Sequence, residues 1–591
     1  MRWIIEITSK GRKMDRKNNT KNNEPKCQLS SMFEHIFDDF ADEIAVEDND
    51  KKITYHEMKT MIISLQNIIS LEKAHNKEFR VAVCMERKWY LIVAFAAILL
   101  CGCTYVPIDT AYPNERKQLI LKDANCGMII TDSYLRLHSD IIPTFLFSGM
   151  LECGDRILSN QITDGMIAYI IYTSGSSGSP KGVEISVEAI TNTINWIKEQ
   201  FSITNSDVIA VKTSIGFTDS IVELLLPIIC GAKAKVIDDN DIHNMEKLFY
   251  ILCDVTLIQF VPPHLQMLLS YLRLHKGIDA LPKLRWVLNG GQAIHMNLVN
   301  EFYDLLPKAR IVNTYGMTEA AVYSTFHILE KGDVEAYIGG AVTNMYVDVM
   351  IEDRIIEAPD ILGEICLSGI GLMKGYVNDP ELTEIKMPFI RQTNKRIYHT
   401  GDLGKWTDEG LLVYCGRIDD QIKINGKRVE INEVEKTLSE YVPNALFAVI
   451  AVSDKSYSKK LICFYCGDSV EIDLIKQKLS NTLPDYMIPK KFIYSEKLPL
   501  TTNGKIDKRA LCRDFVSKEQ GIRNQIEGVW NAILPKSSNS VSDNFFELGG
   551  DSLLAMRMIA MLDILGICID YEFFRENPTI DQIIEKIQNE E

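Results

Sequence analysis

The chain has 591 residues, 46% hydrophobic and 24% charged, with a formal net charge of −16. This length exceeds a single core and implies two to four domains; the acidic balance argues against a nucleic-acid backbone or an anionic membrane as the main partner. Fourteen scattered cysteines make no disulfide framework and suit reduced thiols in a cytoplasm.

Residues 1–28 open with a four-residue apolar patch followed by a polar, basic, Asn-rich run. This reads as a disordered tail or a start assigned too far upstream, with Met14 and Met32 as alternatives, and not as a signal peptide. From about Leu29 to Gly416, apolar β-branched runs alternate with helical periods, the pattern of an α/β layered domain. "YLIVAFAAILLCGCTYVPID", from Tyr90, approaches membrane-spanning length. It reads instead as a buried helix running through Gly102 into a strand, since turn chemistry follows it and no second span does. The runs "RVAVCM", "GMIITD", "AKVID", "VTLIQFV", "LRWVLNG" and "ARIVNTYG" read as buried strands. Sites in such folds sit at strand C-terminal ends, so the loops after "MIAYIIYT", "LRWVLNG" and "ARIVNTYG" are candidates together.

"IIYTSGSSGSPKGVEIS" (170–186) follows the first of these strands. Gly175, Gly178 and Gly182 permit close backbone approach, hydroxyls flank them and Lys181 adds charge, which are the ingredients of an anion cradle. Its spacing is not that of a Walker loop. After Gly416 the pattern shifts to short strands and one helix, a smaller α+β unit to about Leu511. Cys463 and Cys466 form a C-x-x-C inside it, but the run is apolar and strand-like, without a second pair at zinc spacing. A helical segment then continues to the C-terminus, and no internal repeat is visible.

Taken in order, "ITYHEM", "CTYVPIDTAYP", the 170–186 loop, "NTYGMTEAAV", "GEICLSGIGLMKGY", "YHTGDLG", "GRIDDQIKINGKRVEINEVE" and "LPLTTNGKID" resemble the motifs of the adenylate-forming (AMP-binding) superfamily. The likeness is specifically to the adenylation domains of nonribosomal peptide synthetases, and with the carrier motif below it covers residues 29–590. It implies an adenylation core over 29–418 and a C-terminal subdomain over 419–511. It also implies ATP and Mg²⁺. Thr173, Ser174, Gly175, Ser176, Gly178 and Lys181 would form a mobile loop on the β/γ-phosphates. Asn313, Thr314, Tyr315 and Gly316 would line the adenine pocket, Thr318 would contact the α-phosphate and Glu319 would hold Mg²⁺. Asp402 would accept the ribose hydroxyls, Arg417 would support the ribose and phosphate, Asp419 would be the hinge, and Lys505 would bridge the substrate carboxylate and α-phosphate. Such chemistry needs cations, because a carboxylate attacking a phosphate brings anions together. Met317 stands where the family usually has proline.

"DNFFELGGDSLLAMRM" is similar to the phosphopantetheine attachment motif of peptidyl carriers. The resemblance implies an all-α four-helix carrier domain over 516–591 with 4′-phosphopantetheine on Ser552, preceded by Asp551. On its own, Gly-Gly-Asp-Ser would read as an ordinary helix cap.

"SIGFTDSIVELLLPI" (214–228) sets Asp219 at the head of a buried helix. In domains for α-amino acids the corresponding stretch is Phe-Asp-x-Ser, and the aspartate grips the α-ammonium. Here Phe217 and Thr218 precede Asp219, so the carboxylate comes one position late and points roughly 100° away around the helix. Domains of the β-alanine type share this shift, which favours a β-amino acid. An α-amino acid and a non-amine (hydroxy, keto or aryl) acid stay open. Val222, Phe260, Leu288, Gly290, Thr314, Val322 and Tyr323 complete an expected pocket that is mostly apolar and offers no further charge. The chain is thus expected to be a free-standing adenylation–carrier didomain. Its expected partners are a phosphopantetheinyl transferase and a condensation or other acyl-accepting protein in trans, with an MbtH-type activator left open and no nucleic acid or membrane.

Overall fold

The computed structural model describes residues 27–73, 78–147, 158–175, 179–352, 354–390, 394–418, 421–424, 426–453, 459–467, 471–500, 506–534, 544–565 and 567–590. The expected N-terminal tail lies outside these up to residue 26, and the first helix, Gln28–Asp39, begins at its last residue.

Two large sheets dominate. In the nine-stranded sheet the parallel strands Leu257–Phe260, Trp286–Asn289 and Arg310–Tyr315 lie side by side. The seven-stranded sheet centres on Arg80–Cys84, Thr104–Pro107 and Ile167–Thr173, with Lys181–Ser186 returning antiparallel to the last of them. Their β-branched, buried runs are those of strands covered on both faces. Helices Trp89–Leu100, Val187–Gln200 and Asp219–Cys230 belong to one hydrophobic cluster that also takes residues from both sheets. Every residue of Trp89–Leu100 except Tyr90 is buried. Gly102, at φ +63°, then turns the chain into the Thr104–Pro107 strand. The long apolar run is therefore core, and no described helix is long and apolar enough to cross a membrane. A five-stranded antiparallel sheet, including Gly363–Gly369, Tyr398–Trp406 and Leu412–Arg417, completes this part of the chain.

The smaller unit is built on a three-stranded sheet of Ala445–Ser453, Lys459–Gly467 and Lys491–Tyr494. It carries two helices of its own, Ile431–Tyr441 and Ile472–Thr482, where the sequence pattern indicated one. Cys463 packs with one hydrophobic cluster and Cys466 against another, because a three-residue offset puts them on opposite strand faces. The last unit is helical: Ser552–Ile564, Tyr571–Glu576 and Ile580–Glu590 pack against the end of Lys508–Ile533 through Trp530, Met558 and Phe574. The same helix buries Leu511 against the small sheet. One unbroken helix therefore serves both units, across the interval expected between them.

The small unit meets the large one through Arg116, on helix Asn114–Asp123, and Glu433, on helix Ile431–Tyr441. Their side chains are 3.0 Å apart and only 3% and 2% exposed, and the guanidinium stands 5.3 Å from the Tyr112 ring centroid. Two charges buried together stabilise little in net terms, but removing one leaves the other stranded. Glu433→Ala should therefore cost about 3–5 kcal/mol in urea unfolding of the full chain, and Arg116→Met added to it should recover most of that. A single variant as stable as wild type would show that the pair does not hold the units together.

Candidate functional site

The first two parallel strands end together at Phe260 and Asn289, beside Asn313, and the third runs on to Tyr315. A pocket of about 100 Å³ opens at these ends, and the small unit's hairpin Gln421–Ile424/Lys427–Glu430 lies over it. Gln292 donates to the Lys423 carbonyl at 3.0 Å, and Arg417 donates to Gln421 at 3.0 Å.

One side of the pocket is organised by Asp402. Tyr315 donates its hydroxyl to one carboxylate oxygen at 2.7 Å, and Arg417 bonds the other at 2.6 Å. The arginine reaches it because residues 402 and 417 are register partners on neighbouring strands. Each oxygen keeps a further lone pair for a hydroxyl donor. Asn313 lines an adjoining cavity with Tyr315, Asp402 and Arg417, its amide donating to the Tyr337 carbonyl at 2.9 Å, and Thr314 bonds the Asn289 carbonyl at 3.0 Å. Gly316 cannot carry a side chain, since a Cβ there would lie 1.9 Å from the Val322 carbonyl oxygen. Val322 itself holds φ +81°, a strained value for a β-branched residue. Met317 adopts φ −156°, far from the roughly −65° that proline imposes, so proline could not take this conformation.

Glu319 has no exposed surface. One of its oxygens receives Arg428 of the hairpin at 2.8 Å and the Tyr376 hydroxyl at 3.0 Å, with Lys181 at 3.8 Å. Burial would raise its carboxyl, but Arg428 and then Lys181 hold it down at about 2. Burial, and then the neighbouring Arg428, lower Lys181 to about 8. Ser174 donates to the Arg428 carbonyl at 3.1 Å, binding the glycine-rich loop to the hairpin. The second Glu319 oxygen and the Thr173 hydroxyl are both buried without a hydrogen-bond partner. An orphaned carboxylate oxygen fits a Mg²⁺ ion that takes one or two protein oxygens.

On the opposite wall, Asp219 is the first residue of helix Asp219–Cys230. Gln259 donates to its carboxylate at 2.5 Å and accepts from the Tyr323 hydroxyl at 2.7 Å. Burial pushes the Asp219 carboxyl up from its usual range, opposed by the Gln259 amide and by Lys423 and Lys212. Thr218, one residue earlier, bonds the Thr318 hydroxyl at 2.8 Å. Phe217, Thr218, Asp219, Gly290, Thr314, Val322 and Tyr323 line the pocket together.

Val222, Phe260 and Leu288 do not line it: they are packed into hydrophobic clusters. Phe260 faces away because strand side chains alternate, which turns Gln259 inward instead. The expectation of no further charge also fails, since Lys423 lines the pocket. It arrives on the hairpin of another folding unit, and strand periodicity carried no signal of that. Lys505, Asp419, Ser176 and Gly178 lie outside the described residues.

Ser552 is exposed at the start of helix Ser552–Ile564, whose end is capped by Asp551 accepting from Leu554 N at 2.8 Å. A Cβ on Gly550 would lie 2.3 Å from the Phe545 ring, so the glycine lets this turn close on the core. An exposed hydroxyl on a capped turn fits a group attached by a modifying enzyme.

Residues 33–377 match the AMP-binding enzyme family, and residues 524–587 match the phosphopantetheine attachment site family. Gramicidin S synthase 2 of Brevibacillus brevis is 32% identical over 598 residues, covering 97% of this chain and 13% of that protein. Surfactin synthase subunit 1 of Bacillus subtilis (strain 168) is 31% identical over 587 residues, 95% of this chain and 16% of that protein. The chain thus spans a small fraction of these relatives. Among solved structures, holo-PA1221, an NRPS protein containing adenylation and PCP domains, superposes with a TM-score of 0.72 at 22% identity, covering 95% of this chain and 97% of that one. Holo-AB3403, a four-domain nonribosomal peptide synthetase bound to AMP and glycine, gives 0.60 at 26% identity, covering 95% and 43%.

The lowered Lys181 has a measurable consequence. A lysine lowered to about 8 loses its charge as pH rises through that value, and with it any attraction for an anion in the pocket. ATP affinity measured by calorimetry should fall above about pH 8, approaching tenfold per pH unit. Lys181→Arg, which stays charged, should flatten the profile. An unchanged inflection in that variant would mean that another group titrates.

Proposed function

Because the chain belongs to the AMP-binding enzyme family and carries a phosphopantetheine attachment site, we propose that it activates an amino acid with ATP and passes the acyl group to an arm on its own Ser552. The observation that carries this reading is the union, in one pocket, of a wall suited to a nucleotide and a wall suited to an ammonium. Asp402, with Tyr315 and Arg417 behind it, can accept ribose hydroxyls. Lys181 and the loop amides can hold phosphates. The substrate carboxylate attacks the α-phosphorus, a C–O–P linkage forms, and pyrophosphate leaves with the electrons of the broken P–O bond. Thr318, which lines the pocket with its hydroxyl against Thr218, is assigned the contact to the α-phosphate, and Lys505 is assigned the charge between carboxylate and phosphate. Glu319 would hold Mg²⁺, which when bound would supply neutralisation of the negative charge that develops there. The arm on Ser552, installed by a phosphopantetheinyl transferase, supplies a thiol acceptor. Asp551 and Gly550 hold the serine at the surface for that modification, and the acceptor of the acyl group thereafter is a separate enzyme such as a condensation domain.

We assign the substrate to the β-amino acids. Thr218 occupies the position where α-specific relatives place aspartate, and its hydroxyl is committed to Thr318. The carboxylate comes instead from Asp219, braced by Gln259. Moving an amine from the α to the β carbon displaces it by about one bond, roughly 1.5 Å, in keeping with that shift. Lys423 favours a second reading. As a cation facing Asp219, it could neutralise the carboxylate and leave room for a non-amine acid.

Pyrophosphate exchange across α-amino, β-amino and hydroxy acids separates the two. Under the first reading a β-amino acid is preferred, and Asp219→Asn loses about 3–5 kcal/mol of activation through the unpaired ammonium. Thr218→Asp with Asp219→Ala should move preference toward α-amino acids, while ATP binding stays nearly unchanged. Preference for a hydroxy acid, or an Asp219→Asn enzyme with full activity, would transfer the assignment to the second reading.

Incubation with a phosphopantetheinyl transferase and coenzyme A should add one arm, visible by mass. Ser552→Ala should stay unmodified yet exchange pyrophosphate at the wild-type rate. A modified Ser552→Ala protein would overturn the assignment of that serine.

A further inference from the structure

Away from the pocket, three donor atoms converge between strands Gly363–Gly369 and Tyr398–Trp406. Cys366 and His399 are register partners, with Sγ 3.6 Å from Nδ1. Glu364 Oε2 approaches the same nitrogen at 2.9 Å, and donor atoms of all three side chains lie within 4.8 Å of one another. One imidazole nitrogen carries either a proton or a lone pair. Protonated, it can satisfy the carboxylate but presents N–H to a thiol; bare, it turns its lone pair toward a carboxylate. A proton on Nδ1 shared with Oε2 satisfies the pair, and a cation bound by all three side chains is the alternative that also uses the sulfur.

With bonds of about 2.0–2.3 Å, the ligand–ligand edges of a tetrahedral Zn²⁺ site are about 3.3–3.8 Å. The Sγ–Nδ1 separation of 3.6 Å already matches such an edge, while the Nδ1–Oε2 separation of 2.9 Å is that of a hydrogen bond and would open by about 0.5 Å as an ion replaced the shared proton. The three residues stand on paired strands, so their backbone is already fixed. Glu364 Oε1 accepts from Gly401 N at 2.8 Å, which aims Oε2 inward, as outer hydrogen bonds orient metal ligands. Cys366 is fully buried, while Glu364 and His399 side chains keep 22% exposure each, leaving one side open to water.

We propose that Glu364, Cys366 and His399 bind a thiophilic divalent cation of the Zn²⁺ class, with water in the fourth position. On binding, the thiol proton is released to solvent and a metal–sulfur bond forms; thiolate and carboxylate neutralise the ion. Because Glu364 also holds Gly401, the ion would stiffen the turn that carries Asp402. The proposal is independent of the amino-acid assignment.

The purified full-length chain, with a non-thiol reductant, would be titrated with Co²⁺. One equivalent should produce a near-ultraviolet thiolate-to-metal charge-transfer band that Zn²⁺ abolishes. Cys366→Ser should remove the band, and His399→Gln should weaken binding by about tenfold or more. Cys568→Ser, a change at an exposed thiol in the C-terminal helical unit, should leave the band intact. A folded wild-type protein without the band, or a band that persists in Cys366→Ser, would reduce the cluster to a set of hydrogen bonds. The wild-type titration decides the matter even if Cys366→Ser does not fold.

Discussion

Glu319 is a carboxylate with no access to water, and its charge has to be balanced wherever the chain goes. The balance comes from three directions: Lys181 at the end of the glycine-rich loop, Tyr376 on an edge strand, and Arg428 on the hairpin of the small unit. One buried charge therefore gathers the loop, the sheet edge and the second folding unit around a single point. In the reading proposed above, the same carboxylate would also serve a Mg²⁺ ion. Guanidinium and ion neutralise one charge, so ion binding and the seating of the hairpin are energetically coupled through it.

The pocket is consequently composite. Its walls at Asp219, Gly290 and Thr314 belong to strand ends and a helix start of the large unit, while Lys423, Gly426 and Arg428 arrive from the small one. Arg116 and Glu433 fix how the two meet, because neither charge tolerates burial alone. Asp219 presents a related problem at the other wall. Gln259, itself held by Tyr323, supplies it a hydrogen bond, yet burial raises the carboxyl above its usual range in spite of Lys423 and Lys212, so a cation entering the pocket would be favoured.

The helical unit bearing Ser552 is joined to the small unit by continuous helix. Leu511 and Trp530 stand on the same helix, one in the small sheet's hydrophobic cluster and the other in the carrier's. Fixing the direction of that helix also fixes where the exposed serine stands relative to the small sheet.

Much of this was legible before any coordinates. β-branched runs marked the six buried strands, and the membrane-length apolar stretch resolved into a helix, Gly102 and a strand. The order of motifs identified the family, and "GGDS" became a modification site once a whole adenylation pattern preceded it. These features are local: each depends on residue type and on spacing within one element. What the sequence left undecided are contacts between elements far apart in the chain. Phe260 looked like pocket wall until strand alternation in a fixed register turned it into the second core and brought in Gln259. Lys423 entered a pocket expected to hold no further charge because a hairpin some two hundred residues past Asp219 folds over it. Arg428 became the counter-charge of Glu319, and Arg116 that of Glu433, for the same reason. Element type follows from short-range periodicity, whereas the partner of a buried charge follows from packing, which only the tertiary structure decides.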